Sequence, residues 1–139
     1  MMGQQEHTID LKIRQGRPAV AILDEILNRY SDEMLDNRMS LSVAIYEYFS
    51  IRDITTQDDT LYEQYLASAD TWKKLIRYGI GRHEFNEVDI PAVIDLIIFS
   101  YQGVRMYSKL MPIDKEIPTR IMQEIRRILV RRDQDGNDL

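Results

Sequence analysis

Residues 88–109 read VDIPAVIDLIIFSYQGVRMYSK. Asp89 suits a helix N-cap, and Pro91 suits a first turn, where its missing N–H costs nothing. Wound at 100° per residue, Val93, Ile94, Leu96, Ile97, Phe99, Tyr101, Val104 and Tyr107 cover well over half the circumference. Asp95, Gln102 and Arg105 are left as a narrow polar strip. The helix expected from about Ile90 to Lys109 must therefore bury two faces.

The segments around it also read as helices. Ala19, Ile22, Leu23, Ile26, Leu27, Tyr30 and Met34 make one stripe between about Pro18 and Asp36. Leu61, Tyr62, Tyr65, Leu66, Ala69, Trp72 and Ile76 make another from Thr60 to Tyr78. Gly79 and Gly81 follow, as a helix end favours. Ile117, Ile121, Ile125, Ile128 and Leu129 form a compact stripe in a last helix from about Pro118 to Arg132. Its C-terminal Arg126, Arg127, Arg131 and Arg132 suit the helix dipole. Between Ser40 and Ile51 the residues SLSVAIYEYFSI are apolar on all sides, which predicts a central, fully buried helix.

Strand signals are missing. The one alternating stretch, Ile9, Leu11, Ile13, is short and has no partner. Residues 1–17 are read as an arm or linker, 18–132 as one helical domain and 133–139 as a frayed tail. The fold class is all-α, a bundle of about five helices. With two over-apolar helices among 139 residues, the amphipathic ones cannot cover both. A second copy of the chain is the natural cover.

Composition removes several function classes. The chain contains no Cys, so thiolate metal sites, iron–sulfur clusters and Cys nucleophiles are out. The formal net charge of −5 disfavours nucleic-acid binding by this chain itself. No apolar run approaches the roughly 20 residues of a membrane span. The polar N-terminus has no signal-peptide core. The reading is a cytoplasmic, membrane-free protein. No phosphate loop, metal-ligand spacing or cofactor motif appears, and no nucleophile has a His base close in sequence. His7 lies in the arm. His83 lies in the turn GRHEF as a solvated residue. The chain is read as a non-enzyme with no metal and no cofactor.

Two features carry binding chemistry. Glu47 sits inside the aromatic helix, where an ionised carboxylate needs a partner. It is either held in a structural pair or available to a cationic ligand. The eight Tyr, three Phe, one Trp and seven Met either fill the core or enclose a cavity. The candidate ligand-binding residues are Tyr46, Glu47, Phe49, Tyr65, Trp72, Phe99 and Met106.

The order of these segments resembles a known family. AIYEYFSIRD ends a central apolar-aromatic helix. KKLIRYGIGRHEFNEVDIPAVIDLIIFSYQGV then runs through a glycine-flanked turn into the over-apolar helix. Leu75, Ile76, Gly79, Ile80, Glu84, Phe85, Asp89 and Gly103 resemble the ligand-binding and dimerisation domain of TetR-family transcriptional regulators. His83 stands where that turn usually has its second Gly. The resemblance covers about Pro18 to Leu129.

It implies a small-molecule sensor whose last two helices form a four-helix bundle with a second copy. The implied interface is Ile94, Ile97, Tyr101 and Val104 with Ile121, Ile125 and Ile128. The implied ligand is a small hydrophobic or cationic molecule. Residues 1–17 cannot hold a helix-turn-helix, so DNA binding, as a repressor, is implied only through an N-terminal domain outside this chain. The alternative is a helical interaction and dimerisation module with no ligand. A solid core would favour that alternative.

Overall fold

The computed structural model describes residues 2–35 and 60–132. These form five helices and no named strand: α1 (Met2–Arg14), α2 (Ala19–Met34), α3 (Thr60–Gly81), α4 (Ile90–Tyr107) and α5 (Glu116–Leu129). The all-α expectation holds for them. The helix expected over Ser40–Ile51 lies outside the described residues, as does the tail from 133.

The core forms where the apolar stripes of α2 to α5 meet. On α2 the buried residues are Ala19, Ile22, Leu23, Ile26, Leu27, Tyr30 and Met34, the stripe read from the sequence. This helix packs against α3, α4 and α5. From α3 come Trp72, Leu75 and Ile76, and from α4 Val93, Ile94, Ile97, Ile98 and Tyr101. Met122, Ile125, Leu129 and Val130 close it from the α5 side. At roughly 1.5–3 kcal/mol for each large buried side chain, this cluster is the main source of stability.

Three expectations need correcting. First, Ile9, Leu11 and Ile13 are helical in α1, which lies against α3. Ile9 is buried and Leu11 is exposed. A spacing of four belongs to the helix period as much as to the strand period, so Ile9 and Ile13 fit both.

Second, α3 continues to Gly81, past the expected stop. A Cβ on Gly79 would lie 2.2 Å from the Phe85 ring. Gly79 is therefore small to admit that ring. The left-handed residue of the turn is His83, with φ 60°.

Third, the buried face of α3 is rotated from the expected arc. Ser68 and Thr71 are buried, whereas Leu61, Tyr62 and Leu66 are exposed.

The turn between α3 and α4 ties the bundle together. α2 starts after Pro18 with no side-chain cap of its own. Glu84 supplies one from a distance in sequence, accepting from Ala19 N at 3.0 Å and Val20 N at 3.2 Å. The main chain of the same turn holds the end of α5. Asn86 N donates to Leu129 O at 2.7 Å, Arg131 N donates to Glu84 O at 3.0 Å, and Phe85 bridges Val130. Asn86 Nδ2 also donates to Ile128 O at 3.0 Å. These contacts satisfy backbone groups that two helix ends would otherwise leave open. At the start of α4, Asp89 caps through Ala92 N at 3.2 Å, as its position predicts.

Candidate functional site

α4 carries two different faces. Its inner face meets α2 and α3 in a cluster of aromatic and charged side chains. Tyr30 of α2 packs its ring 4.3 Å from Tyr101 of α4 and 5.8 Å, edge-on, from Trp72 of α3. Trp72 Nε1 donates to the Tyr30 hydroxyl at 3.3 Å. Tyr101 donates to Glu33 Oε2 at 2.5 Å, and Arg105 Nη1 donates to the Tyr101 hydroxyl at 2.5 Å. Arg105 stands 3.8 Å from Glu33 and over the Tyr101 ring. The chain Arg105–Tyr101–Glu33 thus joins α4 to α2 by charge-assisted hydrogen bonds, the stronger kind.

Burial sets the acidity of both phenols. It pushes Tyr30 up to about 12. Burial first, and then the bond to Glu33, hold Tyr101 well above the usual tyrosine range. Neither hydroxyl ionises at neutral pH, so Tyr101 remains a donor to Glu33. Nearby in sequence, Gln102 Oε1 is a buried side-chain oxygen with no hydrogen-bond partner. Such orphans are rare in folded proteins, and each leaves a desolvated acceptor available to a donor.

The outer face of α4 is apolar and exposed. Leu96 is 58% exposed, Phe99 63% and Tyr107 59%. Phe99 lies 5.8 Å from the Tyr65 ring, and Tyr65 lies 6.5 Å from Tyr62. The Tyr65 hydroxyl donates to Asp95 Oδ1 at 2.5 Å, and that bond raises its pKa. Gly103 also lies on α4, and a Cβ there would meet nothing within 4 Å.

The expected ligand-binding residues fall into separate places. Tyr65 and Phe99 come together on the surface. Trp72 belongs to the buried cluster, and Met106 is half-buried. Tyr46, Glu47 and Phe49 lie outside the described residues. The cluster partners Tyr30, Glu33 and Arg105 were not among the residues singled out. Their signal was faint: Tyr30 and Glu33 are one helical turn apart, as are Tyr101 and Arg105, but no local pattern aligns the two helices.

The expected interface residues require a correction. Ile94, Ile97, Tyr101 and Ile125 are buried within one chain, in its own core. Val104, Ile121 and Ile128 pack against that core and are half-buried. The apolar surface that α4 offers outward is the opposite row, Leu96, Phe99 and Tyr107.

A second feature lies on α5. Arg120, Gln123, Glu124, Arg126, Arg127 and Arg132 border a surface concavity of about 530 Å³. Its charges are largely compensated. Arg126 binds Asp24 at 2.7 Å, Arg127 pairs with Glu124, and Arg120 pairs with Glu116 at 3.3 Å. This is a salt-bridged helix face. Among the described residues no group of His, Asp and Glu is placed to hold a metal ion, and no helix is long and apolar enough to cross a membrane. Comparison with protein families, with curated proteins and with solved structures finds no match to this chain.

Proposed function

We propose that this chain is the small-molecule-sensing and dimerisation domain of a TetR-like transcriptional regulator. The observation that carries the reading is the double character of α4. One face holds a buried polar-aromatic cluster, while the other exposes a row of large apolar side chains. A single helix thereby links a recognition site to an association surface. A ligand that binds one arrangement of the cluster better than another shifts α4, and with it the pairing of two copies. Gln102 Oε1 is a ready acceptor for a ligand donor, and the Arg105–Tyr101–Glu33 chain is the element such a ligand would rearrange. The reading assigns binding rather than catalysis. Control of DNA passes, in this proposal, through a helix-turn-helix domain that is not part of these 139 residues.

The exposed apolar row of α4 gives this reading a test. Two copies meeting through α4 would bury Leu96, Phe99 and Tyr107, with Gly103 allowing close approach of the backbones. Sedimentation equilibrium should find a dimer. Phe99→Glu should convert it to a monomer of unchanged helical circular dichroism. A wild-type monomer at high concentration would remove the proposal.

The second reading, a dimerisation module without a ligand, is favoured by one observation. Tyr30, Trp72 and Tyr101 pack directly on one another and are 2–4% exposed. It predicts the same dimer and no ligand response.

A further inference from the structure

The exposed apolar row of α4 has the same spacing read in either direction. Leu96, Phe99, Gly103 and Tyr107 are separated by three, four and four residues, and Leu110 follows three residues later. The chain keeps winding past the end of α4, where Ser108 N donates to Val104 O at 2.9 Å and Met111 N to Tyr107 O at 3.0 Å. At 100° per residue, all five positions fall within about 40° of the Gly103 direction. Leu96, Phe99, Tyr107 and Leu110 are exposed, Leu110 by 78%, and a Cβ on Gly103 would meet nothing within 4 Å. Gly103 is thus a low point with an aromatic ring one turn to each side and a leucine two turns out.

Such a row is complementary to itself. Turned end for end about Gly103, it lays Phe99 on Tyr107 and Leu96 on Leu110 of a second copy, twice over. Glycine lets backbones come close, and the two glycines meet at the centre. The antiparallel direction sets the two helix dipoles head to tail, whereas parallel neighbours would set like ends together. Asp95 and Lys109 lie on one flank of the row, eight residues before Gly103 and six after it. The turn therefore brings Asp95 of each copy to the level of Lys109 of the other, opposite charges together. The area is also sufficient. Tyr62 joins the row through Tyr65, whose ring lies 5.8 Å from Phe99. With Tyr62 and Leu66 of α3, the exposed parts of the row come to on the order of 700 Å² per copy, against about 800 Å² in an interface of standard size.

We propose that two copies of this chain pair α4 on α4 in antiparallel register, with the two-fold axis passing through Gly103. This register rests on the dimer proposed above and fixes which residues meet. Both copies use the same patch, so the assembly closes at two.

The chain has no Cys, so single cysteines introduced into the full chain report the register by oxidative cross-linking. Gly103→Cys alone should form a covalent dimer. Phe99→Cys alone and Tyr107→Cys alone should not, because like residues then sit about 12 Å apart along the helices at 1.5 Å per residue. An equimolar mixture of these two should cross-link about tenfold faster than either alone, since a disulfide needs Cα atoms within about 7 Å. A second pair of variants needs no disulfide: Phe99→Glu and Tyr107→Lys, each monomeric alone in sedimentation, should dimerise when mixed. If Phe99→Cys cross-links to itself as fast as in the mixture, the helices run parallel, and the register falls while the dimer stands. A wild-type dimer with neither cross-linking at Gly103→Cys nor rescue in the charged mixture also overturns the register, placing the contact elsewhere. A wild-type monomer would mean that something other than a second copy covers the row, and would remove dimer and register together.

Discussion

Tyr101 joins α2 to α4 through its hydroxyl, so its removal separates packing from polar bonding. Tyr101→Phe keeps the ring against Tyr30 but leaves Glu33 and Arg105 to face each other at 3.8 Å. A bond to a charged group contributes about 1.5–3 kcal/mol, and a fall of that size in urea unfolding is expected. The alkaline limb tests the same bond. Tyr101 and Tyr30 both have folded-state values raised above the unfolded one, mainly by burial. Each contributes stability that is fully present below the unfolded value of about 10 and is lost as pH rises through the folded value. Melting temperature should therefore drop steeply above pH ~10, and more gently in Tyr101→Phe. Equal slopes would mean that the phenol ionises in the folded chain as readily as in the unfolded one. Glu84 behaves oppositely. Burial acts to raise its value, but the amides of Ala19 and Val20 and the Arg82 guanidinium overcome that and hold it below the ordinary carboxylate range. Its contribution is present above the unfolded value and is lost as pH falls through the folded one. Glu84→Gln should cost about 1 kcal/mol, the usual worth of a cap, and should flatten the acid limb of the stability curve.

Two glycines in helices respond to substitution with opposite signs. Gly79→Ala adds a helix-former but drives a methyl group into the Phe85 ring, which is 1% exposed and cannot turn aside. Overpacking of this sort costs about 1–3 kcal/mol, so a net loss in chemical denaturation is expected. Gly103→Ala meets open space and should gain up to about 1 kcal/mol of helix stability in a monomer. If two copies cross there, the same methyl group should instead weaken association, which sedimentation would register as a raised dissociation constant. The pair also shows what the sequence could and could not convey. Gly79 and Gly81 read as a helix stop because glycine commonly ends helices, yet only the distant Phe85 explains the first of them. The α2 stripe was legible because one face alone is buried. The α4 residues were just as legible as helical. Their apolar surface exceeds one face, however, so periodicity could not say which row turns inward. The family resemblance then assigned Ile94, Ile97 and Tyr101 to an interface, whereas they lie in the chain's own core. α1 was missed because its alternation mimics a strand over three positions.

At the scale of the whole molecule, the cluster of Tyr30, Glu33, Trp72, Tyr101 and Arg105 depends on three helices arriving in register, and no local pattern encodes that. Binding by such a site appears as stability. A ligand that binds only the folded state adds RT ln(1 + [L]/Kd), about 2.7 kcal/mol at a hundredfold excess over Kd. For a domain of this size that is a rise in melting temperature of roughly 10 °C. Lipophilic cations, fatty acids and aromatic metabolites cover the hydrophobic and cationic classes that the proposed sensor would take. A hit should raise the melting temperature in proportion to the logarithm of its concentration. The rise should shrink in Gln102→Ala if the orphaned Oε1 accepts from the ligand. A dimer adds a second signature, because its melting temperature also rises with protein concentration. Phe99→Glu should abolish that dependence while leaving ligand stabilisation in place if the two faces of α4 act separately. If ligand and association are coupled through α4, the variant should shift ligand affinity too, and the ligand should shift the wild-type dimerisation constant by the same factor, since linkage is reciprocal. A dimer whose melting temperature follows protein concentration but answers to none of these compounds would leave the association surface standing and withdraw the sensor.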